Sequence, residues 1–424
     1  MYRLQRRICL GLLHAAFATS SLLAQQSFTW QQIRDRFERN NPTLKAGQIG
    51  IDESKAEEIT AYLRPNPNFT FSADGTQIAP YQGIWRPFSG TTFVSDVSYL
   101  HERQHKRELR RDSAQQGTQI VESDQLDVER NLLFGLRDAF VRTLQAKAIL
   151  EIAQQNLDYY DRVLATNRHR FKAGDISQID LTRLELQRVQ FLSDVTNAQV
   201  NLRTAKVELL AILNDKMPVD SFDASGNFDF NSDISALPDI RKIALDTRPD
   251  LRAALQSVEK ARTDHELAVA NGSTDPTFAG WWTHNGSFNN PNAYDTLGAA
   301  VSIPLRIFDR NQGEKLRTQL DIDRNERLRD AAETGVLKDV DSAYATLMST
   351  LALLKPYKET YLKQAVQVRD TVSFAYGHGA ASLLDFLDAQ KSYRDVQLNY
   401  LTLVGSYLSA ANQLNLSVGR EVIQ

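Results

Sequence analysis

The sequence predicts a mainly α-helical protein with a small β part, in which one layout of elements occurs twice. Three landmarks of the first half return in the second half, in the same order and roughly 205 residues further along the chain. They are Asn41-Pro42, which returns as Arg248-Pro249; Pro67, which returns as Pro276; and Gly174, Ser177 and Asp180, which return as Gly379, Ser382 and Asp385. The stretch between Pro87 and Pro218 contains no proline and is rich in Leu, Gln, Arg, Glu and Ala, which favours long helices.

Composition excludes several classes of protein. Of the 424 residues, 42% are hydrophobic and 24% are charged, which excludes a disordered chain. The only cysteine is Cys9, which excludes a disulfide scaffold and a cysteine-rich metal site. A net charge of -3 argues against binding to nucleic acid through its phosphates. No run of about 18 apolar residues occurs, so the sequence contains no ordinary transmembrane helix.

The N-terminus has the pattern of a secretory signal peptide. Arg3, Arg6 and Arg7 precede an apolar stretch, and small residues lead up to Ala24. We therefore expect residues 1–24 to be removed on export. The repeat landmarks then divide the mature chain into a first structural repeat, 25–222, and a second, 223–424.

Each repeat is predicted as a helix, two strands, a long helix and a return helix. At about 1.5 Å per residue, the first long helix extends for on the order of 100 Å, and the two shorter helices together have about the same length. Two short helices stacked end to end along one long helix would therefore form a uniform wall. Pro356 interrupts the second long helix and can kink it. The predicted limits are helices 30–62, 104–170 and 178–213 with strands 67–76 and 91–100, then helices 239–271, 310–375 and 383–418 with strands 276–285 and 294–303.

The return helices carry a coiled-coil pattern. Mostly apolar positions step alternately by about three and four residues, which places them on one seam of a helix. These positions are Leu181, Leu184, Arg188, Phe191, Val195, Ala198, Leu202, Ala205, Leu209 and Ile212 in the first repeat, and Phe386, Ala389, Tyr393, Val396, Tyr400, Leu403, Tyr407, Ala410, Leu414 and Ser417 in the second. A soluble two-stranded coiled coil would carry the same pattern, so the strands must decide between the two architectures.

The predicted strands are rich in aromatic residues. Three of the four tryptophans, Trp85, Trp281 and Trp282, lie in the two hairpin regions. Strands of about 9–11 residues with aromatic girdles are typical of an outer-membrane barrel, although a small soluble β-layer that caps the helices would show the same pattern. Four strands cannot close a transmembrane barrel, because small barrels have about eight and open edges are not tolerated in lipid. A barrel would have to be shared between chains, and three chains would supply about twelve strands.

Three features together give the chain a resemblance to TolC-like outer-membrane efflux proteins, over essentially its whole mature length. They are Asn41-Pro42-Thr43-Leu44, the prolines Pro65 and Pro67 after the first helix, and two glycine-containing helical tips. The tips are Arg170-Phe171-Lys172-Ala173-Gly174-Asp175-Ile176-Ser177-Gln178-Ile179-Asp180-Leu181 and Tyr376-Gly377-His378-Gly379-Ala380-Ala381-Ser382-Leu383-Leu384-Asp385-Phe386-Leu387-Asp388-Ala389-Gln390. The segment 303–313 is similar to the strand-to-helix junction of the heavy-metal branch of that family, with a helix start expected at Asp309.

The resemblance implies a homotrimer in the outer membrane. It implies a TolC-like trimeric α-helical barrel of coiled-coil hairpins, continued by a shared 12-stranded transmembrane β-barrel with four strands per chain. Such an assembly is the exit duct of a tripartite efflux system, through which small molecules or metal ions pass passively to the exterior. The implied partners are a periplasmic adaptor, an inner-membrane pump of the proton-driven RND type and outer-membrane lipid. We expect no enzyme activity, no cofactor and no nucleic-acid partner.

The resemblance also implies functional residues at the two tips. Asp385 and Asp388 match aspartates that project into the periplasmic entrance, and Asp180 and Tyr376 match an acidic and an aromatic position there. Repeated around a threefold axis, the aspartates would form a narrow acidic ring that attracts cations. The adaptor would dock on the turns, which contain Gly174 and Ser177 in the first repeat and Gly379 and Ser382 in the second. Where the family often has an arginine that grips between helices, this chain has Ala381.

The sequence leaves three other functions open. The chain could be the outer-membrane component of a type I protein secretion system. His101-Glu102-Arg103-Gln104-His105 matches the H-E-x-x-H pattern of zinc proteases, but a convincing third ligand is absent from the nearby sequence. The structural interpretation of this segment is a polar collar below the membrane. A soluble coiled-coil scaffold is the third alternative.

Overall fold

Each half of the chain folds into a pair of short helices, two antiparallel strands, a long helical segment and a return helix. The computed structural model describes residues 26–285 and 294–423, so the predicted signal peptide lies outside the described residues. The first half contains β1 (Gln26–Phe28), α1 (Trp30–Asn40), α2 (Pro42–Ala61), β2 (Asn68–Asp74), β3 (Thr92–Leu100), α3 (Lys106–Ala173) and α4 (Gln178–Ile212). The second half contains β4 (Phe222–Ala224), α5 (Leu237–Thr247), α6 (Pro249–Asn271), β5 (Thr277–Asn285), β6 (Asp295–Ser302), α7 (Gln312–Pro356), α8 (Leu362–Gly377) and α9 (Leu383–Val418).

The helices predicted over 30–62 and 239–271 are each divided in two, so their predicted continuity is wrong. The division falls at Asn41 and at Arg248, each directly before a proline. Proline disfavours the helical conformation at the residue that precedes it, and both residues are extended instead. The Oδ1 atom of Asn41 accepts hydrogen bonds from the amides of Thr43 and Leu44, at 2.8 and 3.1 Å, and so caps the new helix.

Arg248 occupies the position of Asn41 in the second repeat and acts differently. Its guanidinium group donates to the Asp250 carboxylate at 2.8 and 2.6 Å, and its side chain is only 7% exposed. The Nη1 atom also donates to the carbonyl of Ser417 at 3.0 Å, in the last turn of α9, where carbonyls have no partner within the helix. One buried cation therefore fastens the end of α9 to the start of α6.

α3 is the element along which the others pack, and it contains 68 residues. The short helices α2 and α4 both lie against α3, and α6 and α9 both lie against α7. The predicted stacking of two short helices along one long helix is therefore confirmed. The second long helix is interrupted, because a π-helical turn over Tyr357–Tyr361 directly follows Pro356 and separates α7 from α8. Proline lacks the N–H that a regular helix needs, which explains why the irregular turn lies there.

The four predicted strands form one antiparallel sheet in the order β2-β3-β5-β6. The hairpin β5–β6 places Trp281 opposite Gly298. A Cβ atom on Gly298 would lie 2.3 Å from the Trp281 ring, so the absence of a side chain makes room for the indole. The helices follow the same order, since α2 contacts α3, α3 contacts α6 and α6 contacts α7. The chain is thus a strip four elements wide. Its edges are β2 and β6 in the strand layer, and α2 and α7 in the helix layer.

Apolar clusters lie in the middle of the strip and at the hairpin tips. The first-repeat cluster is covered by a short parallel pairing of β1 with β4, which the sequence did not predict, and which buries Phe222 and Ala224. The heptad seams contribute to these clusters, but the seam of α9 is only half-buried in its middle part. The half-buried seam positions are Tyr393, Val396, Tyr400 and Leu403. Among the helices in the described part of the chain, none is sufficiently long and apolar to cross a membrane.

Replacing Arg248 by methionine is expected to lower the free energy of unfolding by about 3 kcal/mol, because the variant leaves two acidic groups and the Ser417 carbonyl without their cation. Denaturant titration of the purified protein measures this change. The exposed Arg327 on α7 provides the matched control, and Arg327→Met should stay within about 0.5 kcal/mol of the parent protein. Equal losses in the two variants would contradict the structural role assigned to Arg248.

Candidate functional site

The two helical turns at one end of the strip contain the predicted docking residues Gly174 and Gly379. Gly174 ends α3 with φ of 86°, and its amide donates to the carbonyl of Phe171 at 3.0 Å. Gly379 follows α8 with φ of 77°. Both are in the left-handed region, which glycine adopts without the steric penalty of a side chain. Nothing lies within 4 Å of a Cβ atom built on either residue, so the backbone conformation is what requires glycine here.

The predicted serines and aspartates of the tips are joined as helix caps. Ser177 begins α4, and its Oγ accepts a hydrogen bond from the Asp180 amide at 3.1 Å. Ser382 begins α9 and binds the Asp385 amide at the same distance. The Asp385 carboxylate in turn accepts hydrogen bonds from the amide and the hydroxyl of Ser382, at 3.0 and 2.7 Å. This reciprocal capping box fixes the direction of the first turn of α9.

Asp385 and Asp388 lie one helical turn apart in α9, and both are exposed in the single chain. The hydrogen bonds from Ser382 lower the pKa of the Asp385 carboxyl, because they stabilise its charged form. A carboxyl whose pKa is lower in the folded state contributes stability above its unfolded pKa of about 4, and that contribution is lost as the pH falls through the folded value. Asp385 is therefore a fixed negative charge at neutral pH.

Tyr376 lies between the two hairpins, buried, rather than on the exposed face that carries Asp385 and Asp388. Its ring stacks on Phe386 of α9 with the ring centres 4.9 Å apart. Its hydroxyl donates to the Oδ1 atom of Asn167 on α3, at 3.0 Å. Burial raises the pKa of the Tyr376 phenol, so the hydroxyl remains a donor over the whole physiological pH range. This residue joins the tip of the first hairpin to the tip of the second.

Two residues that contact Tyr376 were missed in the sequence, Asn167 and Arg170. The guanidinium carbon of Arg170 lies 5.4 Å from the centre of the Tyr376 ring, and Nη1 lies 3.5 Å from the Tyr376 carbonyl oxygen. Position 381 holds an alanine, which packs against the apolar cluster of the tips and carries no charge. The cation at the tips is instead Arg170, which comes from the opposite hairpin. The spacing of Asn167 and Arg170, three residues apart on one face of α3, was the signal that could have found them.

Further up the hairpins, side-chain hydrogen bonds join them. The hydroxyls of Tyr159 and Ser373 lie 3.1 Å apart, and the Asn156 amide donates to the Gln397 side chain at 3.1 Å. Nearer the tips, the two hairpins share one apolar cluster, to which α3, α4, α8 and α9 all contribute. The hairpins are therefore joined by apolar packing at the tips and by hydrogen bonds above them.

The side chains of the H-E-x-x-H segment make structural contacts with neighbouring elements. The Glu102 carboxylate accepts hydrogen bonds from Arg110 at 2.5 and 2.9 Å, and the His101 ring packs against Phe278. His105 is the residue before α3 and adopts a left-handed conformation. Within residues 26–285 and 294–423, no three His, Cys, Asp or Glu side chains are grouped so that they could hold a metal ion.

The helix start expected at Asp309 is wrong by three residues, since α7 begins at Gln312. The Asp309 carboxylate accepts a hydrogen bond from the Asn311 amide at 2.8 Å instead, and Asn311 is left-handed with φ of 60°. Aspartate readily forms such a turn with the amide two residues further on, and this turn delays the helix.

Comparison with known proteins identifies sequences and structures similar to this chain. The sequence model of the family described as outer membrane efflux protein matches residues 33–215 and 240–420. The cobalt-zinc-cadmium resistance protein CzcC of Cupriavidus metallidurans is 24% identical over 390 residues, which cover 90% of this chain and 87% of the relative. The pyoverdine export outer membrane protein OpmQ of Pseudomonas aeruginosa is 23% identical and covers 83% of this chain and 77% of the relative.

Solved structures show the same fold. The crystal structures of CusC, which describe folding and transmembrane channel formation of that protein, superimpose with a TM-score of 0.74 at 18% identity. The match covers 92% of this chain and 92% of CusC.

Replacing Ser382 by alanine is expected to make the amides of the first turn of α9 exchange with solvent roughly fivefold faster, because the variant removes the acceptor for the Asp385 amide. Hydrogen exchange with mass spectrometry on the peptide around this turn measures the rate. Ser382→Thr keeps the hydroxyl and should exchange at nearly the parent rate. The capping assignment fails if alanine and threonine behave alike.

Proposed function

The chain belongs to the outer membrane efflux protein family, and from that premise we propose that it is the outer-membrane exit duct of a tripartite efflux system. The observation that carries the proposal is the family match over both repeats, together with the strip architecture. The duct is passive and has no enzyme activity. Cargo enters at the hairpin tips in the periplasm and leaves through the β-layer at the other end.

The edges of the strip support assembly into a homotrimer. The sheet ends at β2 on one side and at β6 on the other, and unpaired strand edges are not tolerated in lipid. Three copies would pair β6 of each chain with β2 of the next and close a barrel of about twelve strands, which leaves room for a water-filled lumen. The same rotation brings α7 of one chain beside α2 of its neighbour.

Exposed apolar residues on the edge helix α4 support this assembly. Ile179, Leu186, Val200 and Val207 are spaced by seven residues or a multiple of seven, and between 50% and 67% of each is exposed in the single chain. They form a second stripe on a helix whose first stripe already packs on α3. A helix with two apolar stripes has two helical neighbours, and the second neighbour is the next copy of this chain.

The tips are the proposed entrance. Three copies of Asp385 and Asp388, with Asp180 nearby, would place a ring of carboxylates around the axis and attract cations. The turns at Gly174 and Gly379, with Ser177 and Ser382, are the proposed contact for a periplasmic adaptor. Energy for transport comes from an inner-membrane pump of the RND type.

The contacts of Tyr376 hold the proposed closed state. The hydroxyl bond to Asn167 and the guanidinium group of Arg170 keep the second hairpin against the first. We propose that a docked adaptor draws the hairpins apart by replacing these contacts and the hydrogen bonds above them. Arg170 thus performs the role that the arginine missing at position 381 has in related proteins.

The proposed cargo is small. CzcC is named for resistance to cobalt, zinc and cadmium, and OpmQ for export of pyoverdine. An acidic entrance favours cationic cargo, because rings of carboxylates raise the local concentration of cations. We therefore propose metal ions or small cationic molecules as the cargo.

Replacing Asp385 and Asp388 together by asparagine is expected to reduce the cation selectivity of single channels several-fold, because the ring loses its charge. Reversal potentials in a planar bilayer under a salt gradient measure the selectivity. Asp233→Asn with Asp239→Asn removes the same charge from the end of the segment that joins the repeats and the first turn of α5, and it should leave selectivity unchanged. Equal selectivity in the parent protein and the tip variant would contradict the proposed entrance.

Replacing Arg170 by glutamine is expected to raise the resting conductance several-fold, because the second hairpin loses a contact that holds the tip closed. The control is Arg168→Gln. Arg168 lies half a turn away and pairs with Glu185 inside the first hairpin, at 2.9 Å, so this variant should conduct like the parent. If both variants conduct alike, Arg170 does not hold the entrance.

A further inference from the structure

A groove far from the tips combines an apolar floor with several guanidinium groups. It lies between α1, α3, the junction of α5 with α6 and the end of α9, and its volume is about 460 Å³. Trp30, Leu133, Phe134 and Leu416 form its apolar part. Volumes of this size are typical of sites for small organic ligands. The turn at Gly174 lies on the order of 55 Å along α3 from Arg137 in the groove. The groove is therefore separate from the proposed entrance.

The charged side chains of the groove are mostly arginine. Two carboxylates line it, Glu129 and Glu421. Glu38 and Asp127 pair with groove arginines from outside the lining. The arginines are Arg34, Arg130, Arg137, Arg252 and Arg420. Cations therefore outnumber anions even when the two outer carboxylates are included.

Several guanidinium donors of the groove have no acceptor within the described part of the chain. The Nε atom of Arg130 is buried and makes no hydrogen bond. Arg252 uses its Nε atom, which donates to Ser123 at 3.2 Å, but no acceptor is found for its two Nη atoms. Arg420 is exposed and has no hydrogen-bond or ion-pair partner among the described residues. Arg252, like Arg420, is exposed, so the buried unpaired donor is the Nε atom of Arg130. A buried donor without an acceptor calls for an explanation, and guanidinium groups that line one groove can donate to a shared anion.

Arg137 is largely buried, with 24% of its side chain exposed. Its guanidinium carbon lies 4.5 Å from the centre of the Trp30 ring, and its acidic neighbour Glu421 is 3.4 Å away and half-exposed. Burial lowers the pKa of Arg137, because the one half-exposed carboxylate does not offset the loss of water. A second anion beside Arg137 would remove this cost.

We propose that this groove binds a small organic anion. Its apolar body lies on Trp30 and Leu133, and its carboxylate or phosphate accepts hydrogen bonds from Arg137, Arg252 and Arg420. The planar guanidinium group suits both kinds of anion, since it can donate two parallel hydrogen bonds to either. The site is independent of the proposed duct function, because none of its residues lies at the tips.

Isothermal titration calorimetry on the full-length assembled protein, in an uncharged detergent, tests the proposal with isophthalate as the probe. We expect saturable binding at one site per chain. Isophthalamide has the same ring without charge and should not bind. Phenyl phosphate distinguishes the two anion types, and the tighter of the two ligands identifies the preferred group. Inorganic phosphate should bind at least tenfold more weakly than either aromatic anion, because it cannot use the apolar floor.

The matched variants are Arg252→Gln with Arg420→Gln in the groove, and Arg168→Gln with Arg327→Gln outside it. The groove variant should bind isophthalate at least tenfold more weakly and keep the unfolding midpoint of the parent protein, since neither arginine forms a buried ion pair. The outer variant should bind normally. The proposal is overturned if neither aromatic anion binds, if the amide or inorganic phosphate binds as tightly as the aromatic anions, or if both variants behave alike. Weaker assembly of the groove variant, without any ligand binding, would assign the groove to a neighbouring copy and would also overturn it.

Discussion

The structure depends on one constraint, which is that each backbone polar group needs a partner. Within one chain the sheet leaves the outer edges of β2 and β6 unpaired, and the helices repeat that arrangement with α2 and α7 at the corresponding edges. The proposed trimer would give these edges their partners. The second apolar stripe on α4, which is exposed in the single chain, agrees with this proposal.

The same constraint operates where helices end. The end of α9 and the start of α6 meet at the buried side chain of Arg248. The Arg248 side chain provides a partner for both helix ends, because it donates to the Ser417 carbonyl of α9 and neutralises Asp250 of α6. Asn41 needs only its amide oxygen at the matching position of the first repeat, because it caps a single helix. The two repeats have kept the break before proline and changed the residue that stabilises it.

At the tips, the residues that cap the helices differ from those that clamp the two hairpins together. Serine and aspartate fix the helix starts and leave the carboxylates exposed, while Tyr376, Asn167 and Arg170 hold the hairpins together. In the proposed entrance, this separation would allow the charge and the strength of closure to change independently. It also explains how a chain with alanine at position 381 can still have a cation at the clamp, since the cation comes from the other hairpin.

The sequence by itself determined the repeat, the order of the elements and most of their limits, because periodicity and proline are local signals. It determined the tip turns for the same reason, since glycine and serine act on their own backbone. The tertiary structure alone decided the partners of Arg248, the pairing of β1 with β4, and the partners of Tyr376. Those features join residues that are far apart in the chain, such as Asn167 with Tyr376 and Arg248 with Ser417. Side-chain chemistry at one position does not reveal which distant group lies opposite, and only the packing of the helices brings the two together.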